Sequence, residues 1–403
     1  MGYIQQGTPA FRKSNLAFFA AGFNTFAILY STQPLMPVYS KEFHVSPTMA
    51  SLSLSMTTIS LAVSMLLFGS LSEVWGRKPV MFFSMLAASI LSILDALSTT
   101  YDTLLAIRII QGFALGGLPS IAMGYLGEEM EPKSLGVAMG LYISGNSLGA
   151  VGGRIITGTL TDLFNWHVAM GTISVISLVS SLVFLVSLPR SQNFHPRSME
   201  IGKLFGSLIS HLKDPGLLIL YGIGFLLLGS NVALFNYMGY VLTAPPYSFS
   251  QTLVGFIFVV YFVGMFSSVW MAKQANKYGS GKVLMISVFI TLVGVYLTLS
   301  PDLWLKIIGL AITTFGFFGG HSIASSWVGR RALQNKAQAS SLYLFFYYAG
   351  SSIGGTTAGV FWSSFGWGGV VGMITGFLLI ALVVASLLAK LDPVVPFQVR
   401  KEK

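Results

Sequence analysis

Three basic side chains of this sequence fall inside apolar stretches, where they could do chemistry. Arg108 lies in Leu105-Ala106-Ile107-Arg108-Ile109-Ile110-Gln111-Gly112, Arg154 follows Gly149-Ala150-Val151-Gly152-Gly153, and His321 follows Gly319-Gly320. Asp95 is the one carboxylate inside such a stretch, near its end. In hydrocarbon an ionised arginine costs roughly 2.5–3.5 kcal/mol on insertion scales, so it needs a wet cavity or a partner. Histidine titrates near physiological pH and suits a proton relay. The chemistry open to this set is proton binding and the holding of a solute. No nucleophile–base pair or metal-ligand cluster stands out, and no glycine-rich loop with Lys and Ser/Thr is there to cradle ATP phosphates. Plainer roles exist for each residue. Arg108 could snorkel to the outer interface, and Arg154 could anchor an interface as readily as line a pocket. His321 could be a satisfied structural donor, and Asp95 could pair with a nearby arginine or face water.

A second group is a charged island, Gly69-Ser-Leu-Ser-Glu73-Val-Trp-Gly76-Arg77-Lys78-Pro79, between the apolar runs 50–67 and 80–97. Each run is about long enough to cross a bilayer as a helix. A chain cannot turn inside lipid without leaving backbone groups unpaired, so the island belongs in water. Gly69 and Gly76 would let helix ends approach, and Glu73 and Arg77 could bond across them, joined by Glu128 or Glu129, as a conformational latch. Alternatively, Arg77 and Lys78 only fix topology.

The elements that must position these residues follow from composition. The 403 residues are 54% hydrophobic and only 9% charged, against about a quarter charged in soluble domains. Mean hydropathy is +0.74. Twelve apolar runs are expected, near 14–38, 50–72, 79–98, 103–127, 134–160, 167–188, 216–241, 251–272, 282–299, 304–328, 338–361 and 368–389. The net charge of +10 is not gathered on one face as a nucleic-acid partner would require. Lys and Arg cluster in alternate loops (Arg12, Lys13, Arg77, Lys78, Lys133, Arg190, Arg197, Arg330 and Arg331 among them), while the opposite loops offer little beyond Lys41 and Lys306. The positive-inside rule then places both termini in the cytoplasm. Without cysteine, disulfides and thiolate sites are excluded. The first dozen residues read as the lead into an uncleaved first span.

The polar stretch 189–215 divides the runs six and six, giving an expected bundle at 1–188, a cytoplasmic linker, and a second bundle at 216–403. Within the linker, Met199 to Leu212 is amphipathic and is expected to lie on the membrane surface. The halves echo each other at an offset of 201: Leu141-Tyr142 with Leu342-Tyr343, Gly149 with Gly350, Gly153 with Gly354, Gly158 with Gly359, Phe164 with Phe365 and Trp166 with Trp367. Small residues spaced by four in the fifth run let helices pack closely in lipid. Polar and aromatic candidates for a solute cavity are Asn24, Tyr30, Gln33, Arg108, Gln111, Asn146 and Arg154, then Asn231, Asn236, His321, Trp327, Tyr343, Tyr347 and Tyr348. Tyr237 and Tyr240 read better as interface-belt residues.

The island resembles the signature loop G-x-L-x-[D/E]-x-x-G-[R/K]-[R/K] between helices two and three of the major facilitator superfamily of transporters, and R-x-x-Q-G at Arg108 resembles that family's fourth-helix motif. The family's antiporter motif in helix five has a Gly-Pro pair and paired glycines; here Ala150 stands in place of Pro and Arg154 in place of the last Gly. The stretches 140–149, 325–327 and 340–343 resemble the YnfM-like bacterial efflux proteins. The resemblance implies an all-α membrane protein of twelve transmembrane helices in two pseudo-symmetric six-helix bundles. It implies a secondary transporter, not an enzyme, of the drug:proton antiporter branch, monomeric, in the bacterial inner membrane. Its loop would govern conformational switching, with Arg108, His321 and Asp95 as proton-coupling candidates. Spans one, four, seven and ten would line a cavity between the halves. The proton gradient, with no cofactor, would drive export of a small molecule. Aromatic lining suits a moderately apolar solute, and the absence of a carboxylate at mid-depth in those four spans favours a neutral or anionic one. A sugar or organic-anion importer of the same fold is the alternative, and a membrane enzyme or receptor a remote one.

Overall fold

The computed structural model describes residues 2–194 and 201–391. Its helices are α1 (Pro9–Tyr30), α2 (Met36–Glu42), α3 (Pro47–Trp75), α4 (Arg77–Ala96), α5 (Tyr101–Leu115), α6 (Gly117–Glu129), α7 (Pro132–Leu163), α8 (Trp166–Ser187), α9 (Ile201–Leu212), α10 (Pro215–Thr243), α11 (Gln251–Phe256), α12 (Tyr261–Tyr278), α13 (Ser280–Leu297), α14 (Leu303–Arg331) and α15 (Lys336–Leu391). The apolar runs fall mostly in helix, the first being split between α1 and α2 by a turn at 31–35. The starts obey local chemistry. Thr8, Ser46, Thr100, Asn165, Ser250 and Asp302 accept a hydrogen bond from the first turn of α1, α3, α5, α8, α11 and α14, satisfying donors that have no intrahelical partner.

Among the described residues, nine helical stretches are long and apolar enough to cross a membrane. One joins α5 to α6 across Gly116; another joins α11 to α12 through a 3-10 turn at Ile257–Val260. A third, α15, is broken at Gly366, whose φ of 58° lies in the region that favours glycine. The 22-residue α1 and 32-residue α7 carry more polar residues and fall outside the nine. The amphipathic helix expected from Met199 appears as α9; Met199 itself, Arg197 and the basic residues Arg400, Lys401 and Lys403 lie outside the described residues.

The chain packs as two compact units, which do not coincide with the halves of the sequence. Unit 1 is Met1–Gly202, Val232–Val259 and Ser351–Val370; unit 2 is Lys203–Asn231, Val260–Gly350 and Val371–Lys403. In unit 1, Phe18, Tyr125, Tyr142 and Phe184 form an aromatic core among aliphatic side chains of α1, α4, α6 and α8. Small residues of α7 admit α1: a Cβ at Gly149 would stand 2.3 Å from the Phe23 carbonyl oxygen. Its repeat partner in unit 2 does the same work, since a Cβ at Gly350 would stand 2.0 Å from the Phe225 carbonyl oxygen. The matched glycines are therefore matched contacts.

Candidate functional site

Arg108 is completely buried in unit 1, so it does not snorkel. Its neighbour Gly112 explains its reach: a Cβ there would meet the Thr57 carbonyl oxygen at 2.2 Å, so α5 lies hard against α3. From that position the guanidinium donates to five oxygens. Nε bonds Ser53 O at 3.0 Å; Nη1 bonds Ile28 O at 3.2 Å and Gln111 Oε1 at 2.6 Å; Nη2 bonds Leu29 O at 3.0 Å and Thr32 Oγ1 at 3.4 Å. Gln111 in turn donates to Ala88 O of α4 at 3.0 Å. Asp95, also fully buried, approaches Arg108 Nη1 at 3.8 Å. Asp95 thus pairs with an arginine and does not face water. With every N–H engaged and a carboxylate beside it, Arg108 is not an open cavity cation.

Arg154 is 1% exposed, which removes the interface-anchor role. Tyr30 and Phe258 cover its two sides, with centroids 4.1 and 4.3 Å from the guanidinium carbon. Its Nε and Nη2 both donate to Gln33 Oε1, at 2.8 and 2.6 Å, and Nη1 donates to Ala150 O at 2.6 Å. The Gln33 amide donates onward to Asn236 Oδ1 at 2.7 Å. Gln33 so links α7, the turn after α1, and α10. Around it run further bonds between early and late parts of the chain within this unit. The Tyr240 hydroxyl donates to Met36 O at 2.9 Å and meets Ser40 Oγ at 2.7 Å. Asp162 accepts from the backbone N–H groups of Gln251 and Thr252 at 2.9 and 2.6 Å. Burial alone would raise the Asp162 carboxyl, but these bonds and those from the Thr252 and Ser250 hydroxyls hold it below its ordinary value. Tyr237 and Tyr240 are not belt residues: Tyr237 is fully buried, and both rings pack on Trp362. Sequence reading missed Asp162, which sits at a helix end like any solvated acid; only its bonds to α11 distinguish it.

At the other end of α4, the island is tied down by an ion pair. Arg77 forks onto Glu128, with Nη2 to Oε1 at 2.7 Å and Nε to Oε2 at 3.2 Å, and donates to Ser72 Oγ at 2.6 Å. Glu73 stands at 4.0 Å, so Glu128 is the main partner. Glu129 goes elsewhere, accepting from the Asn193 backbone at 2.9 Å. Lys78 donates to Leu188 O. Gly76 takes φ 93° between α3 and α4, whereas open space surrounds Gly69, so no close approach occurs there.

Unit 2 holds the aromatic candidates. His321 Nδ1 and the Tyr343 hydroxyl share a 2.9 Å hydrogen bond. Tyr347 stacks on the imidazole at 4.3 Å, with Phe317 and Tyr343 further along the same stack. Asn231 accepts from the Tyr261 hydroxyl at 2.9 Å, and Trp327 is buried. Two first-half candidates stand apart from these groups. Asn24 is sealed between α1 and α8, donating to Ser177 O and Ser181 Oγ, both at 2.9 Å. Asn146 packs beside Gly22. Both hold helices together. Of the cavity candidates, the structure gathers Tyr30, Gln33, Arg154 and Asn236 in one place, Arg108 and Gln111 in a second, beside Asp95, and His321, Tyr343 and Tyr347 in a third.

Long apolar helices sealing ionisable networks, with an ion pair at one helix end, are the build of a polytopic membrane protein. The chain belongs to the Major Facilitator Superfamily, whose family model matches residues 16–249 and 226–403. It is 63% identical to the "Uncharacterized MFS-type transporter YybF" of Bacillus subtilis over 97% of this chain and 96% of that one. It is 45% identical to the "Inner membrane transport protein YnfM" of Escherichia coli over 95% and 92%. A solved bacterial homolog of the human lysosomal transporter Spinster shares the fold, with a TM-score of 0.77 at 14% identity over 95% of this chain and 98% of that chain. The family and these relatives make the chain a transporter and not an enzyme.

Proposed function

We infer that this transporter exports a moderately apolar, neutral or anionic small molecule in exchange for protons. It would work by alternating access, as a monomer in the bacterial cytoplasmic membrane with both termini inside. The observation that supports proton coupling most is the Asp95–Arg108 pair, an acid and a base sealed together within apolar helices. Ionisable groups in such surroundings are retained where protons or ions move. The His321–Tyr343–Tyr347 stack supports an aromatic solute contact with few polar groups. Basic loops and the name of the Escherichia coli relative support the membrane and its orientation. No cofactor other than the proton gradient enters this reading, and the Arg77–Glu128 latch would open and close with each cycle.

The test is uptake of a panel of lipophilic fluorescent compounds into inverted vesicles with an acid interior. At least one compound is expected to accumulate, and a protonophore should abolish it. Proton-driven accumulation confined to right-side-out vesicles would make the protein an importer instead.

A further inference from the structure

The geometry points to Asp95 as the carboxyl that binds the coupling proton, with Arg108 passing its state to α1; this rests on the proton-coupled reading above. Asp95 is completely buried, and among the described residues neither of its oxygens accepts a hydrogen bond. The cause lies in Arg108. A guanidinium has five N–H donors, and here they serve Ser53 O, Ile28 O, Gln111 Oε1, Leu29 O and Thr32 Oγ1. The arginine is near enough to attract Asp95 but gives it no hydrogen. A buried carboxylate without donors is costly; a neutral carboxylic acid fits this arrangement and an anion does not.

Removing the proton changes which bonds are best. Nη1 is the nitrogen 3.8 Å from Asp95 Oδ2. Its hydrogens are on Ile28 O and Gln111 Oε1, so turning one toward the new carboxylate releases one of these. Ile28 lies in the last turn of α1, which leads through Thr32 to Gln33, the residue that holds Arg154 and Asn236. Gln111 ties α5 to Ala88 on α4. Release of Gln111 loosens the α4–α5 contact, whereas release of Ile28 O loosens the end of α1, so proton occupancy reaches the Gln33 network through the four residues between Ile28 and Gln33.

Other titratable groups packed against this region do not compete for the role. The buried Tyr39 on α2 lies near both charges, and Tyr101 on α5 donates to Met49 O. His167 on α8 bonds Ala96 O at 2.8 Å, and Asp102 on α5 is exposed. From α1, α3 and α6, Tyr30 covers Arg154, Glu73 and Glu128 meet Arg77, and Glu129 holds Asn193. The step itself is a simple exchange: a proton from water on one side forms the Asp95 O–H bond, and the same bond breaks to return it to water on the other. Because Asp95 is sealed, each exchange requires its surroundings to open, which links proton movement to conformational change.

Infrared difference spectroscopy of the purified full chain in nanodiscs, titrated in pH with protons as the only ligand, tests the assignment. Wild type should show the carbonyl band of a carboxylic acid free of hydrogen bonds, moved by isotopic labelling of aspartate. Asp95→Asn should lack that band while its circular dichroism stays fully helical. Arg108→Lys, which keeps the charge, should retain the band and titrate at a different pH. A band unchanged in Asp95→Asn, or absent from wild type at every pH, overturns the assignment. Energised inverted vesicles separate the two readings. Proton-driven transport that keeps its pH profile in Asp95→Asn sinks the role of Asp95 and leaves the exporter standing. An Asp95 band in a wild type without proton-driven transport sinks the exporter reading alone.

Discussion

Unit 1 buries two arginines, and they are held in different ways. Arg108 sits among carbonyl oxygens of α1 and α3 with an acid 3.8 Å away, so its surroundings contain a group that can change charge. Arg154 lies between two aromatic faces, with Gln33 as shared acceptor and the Ala150 carbonyl as a second. Aromatic faces attract a cation at little desolvation cost and have no charge to lose. The comparison teaches that one buried arginine can serve as a switch while another serves as a clasp. The chemistry of the acceptors, not the depth of burial, decides which.

The largest effect should come from Arg108→Ala. It abolishes transport, and by leaving the buried acceptors at Ser53, Ile28, Leu29 and Gln111 without the donor they share it lowers stability by about 1–3 kcal/mol or more. Transport assays and thermal melting in detergent check both. Next, Gln33→Ala removes the acceptor shared by two Arg154 N–H groups, at a cost of about 1.5–3 kcal/mol as expected for bonds to a charged group. Melting should detect that loss, and its pH dependence should match wild type. If Gln33→Ala altered the proton dependence as strongly as Arg108→Lys, the distinction between switch and clasp would be lost. Smaller again is Glu128→Gln at the latch. The pair is partly exposed, so about 0.2–1 kcal/mol is at stake, visible as faster cysteine labelling near Arg77 in this otherwise cysteine-free chain.

The smallest effect is acid sensitivity at Asp162. Its bonds to α11 hold the carboxyl below the ordinary 3.8, so they stabilise the fold above that pH and are lost as pH falls through the lowered value. Hydrogen exchange at Gln251 and Thr252 should accelerate at that acid end. Asp162→Asn should exchange fast at all pH values.

Much of this was legible in the sequence because lipid leaves few choices. The apolar runs became mostly helical, and matched glycines such as Gly149 and Gly350 became matched close contacts. Arg108 and Arg77 could be picked out because charge is scarce and spacing is fixed along a helix. Partnership was harder to read. That Asp95 stands beside Arg108 depends on how α4 and α5 lie side by side, and that Gln33 meets Arg154 depends on α7 crossing the end of α1. Tyr237 and Tyr240 looked like interface residues because a tyrosine near a helix end suits either water or a buried neighbour; Trp362, Met36 and Ser40, remote in sequence, decide the matter. Compact units that draw Val232–Val259 and Ser351–Val370 into association with the first half were equally invisible to a pattern read along the chain.

The most direct measurement is proton flux in proteoliposomes of the purified chain, read with an entrapped pH dye as each compound of the panel is added. The account predicts that at least one compound dissipates an imposed pH gradient in wild type and fails to do so in Arg108→Ala and Asp95→Asn. A compound carried at the same rate with or without a pH gradient, moving no protons, would contradict it.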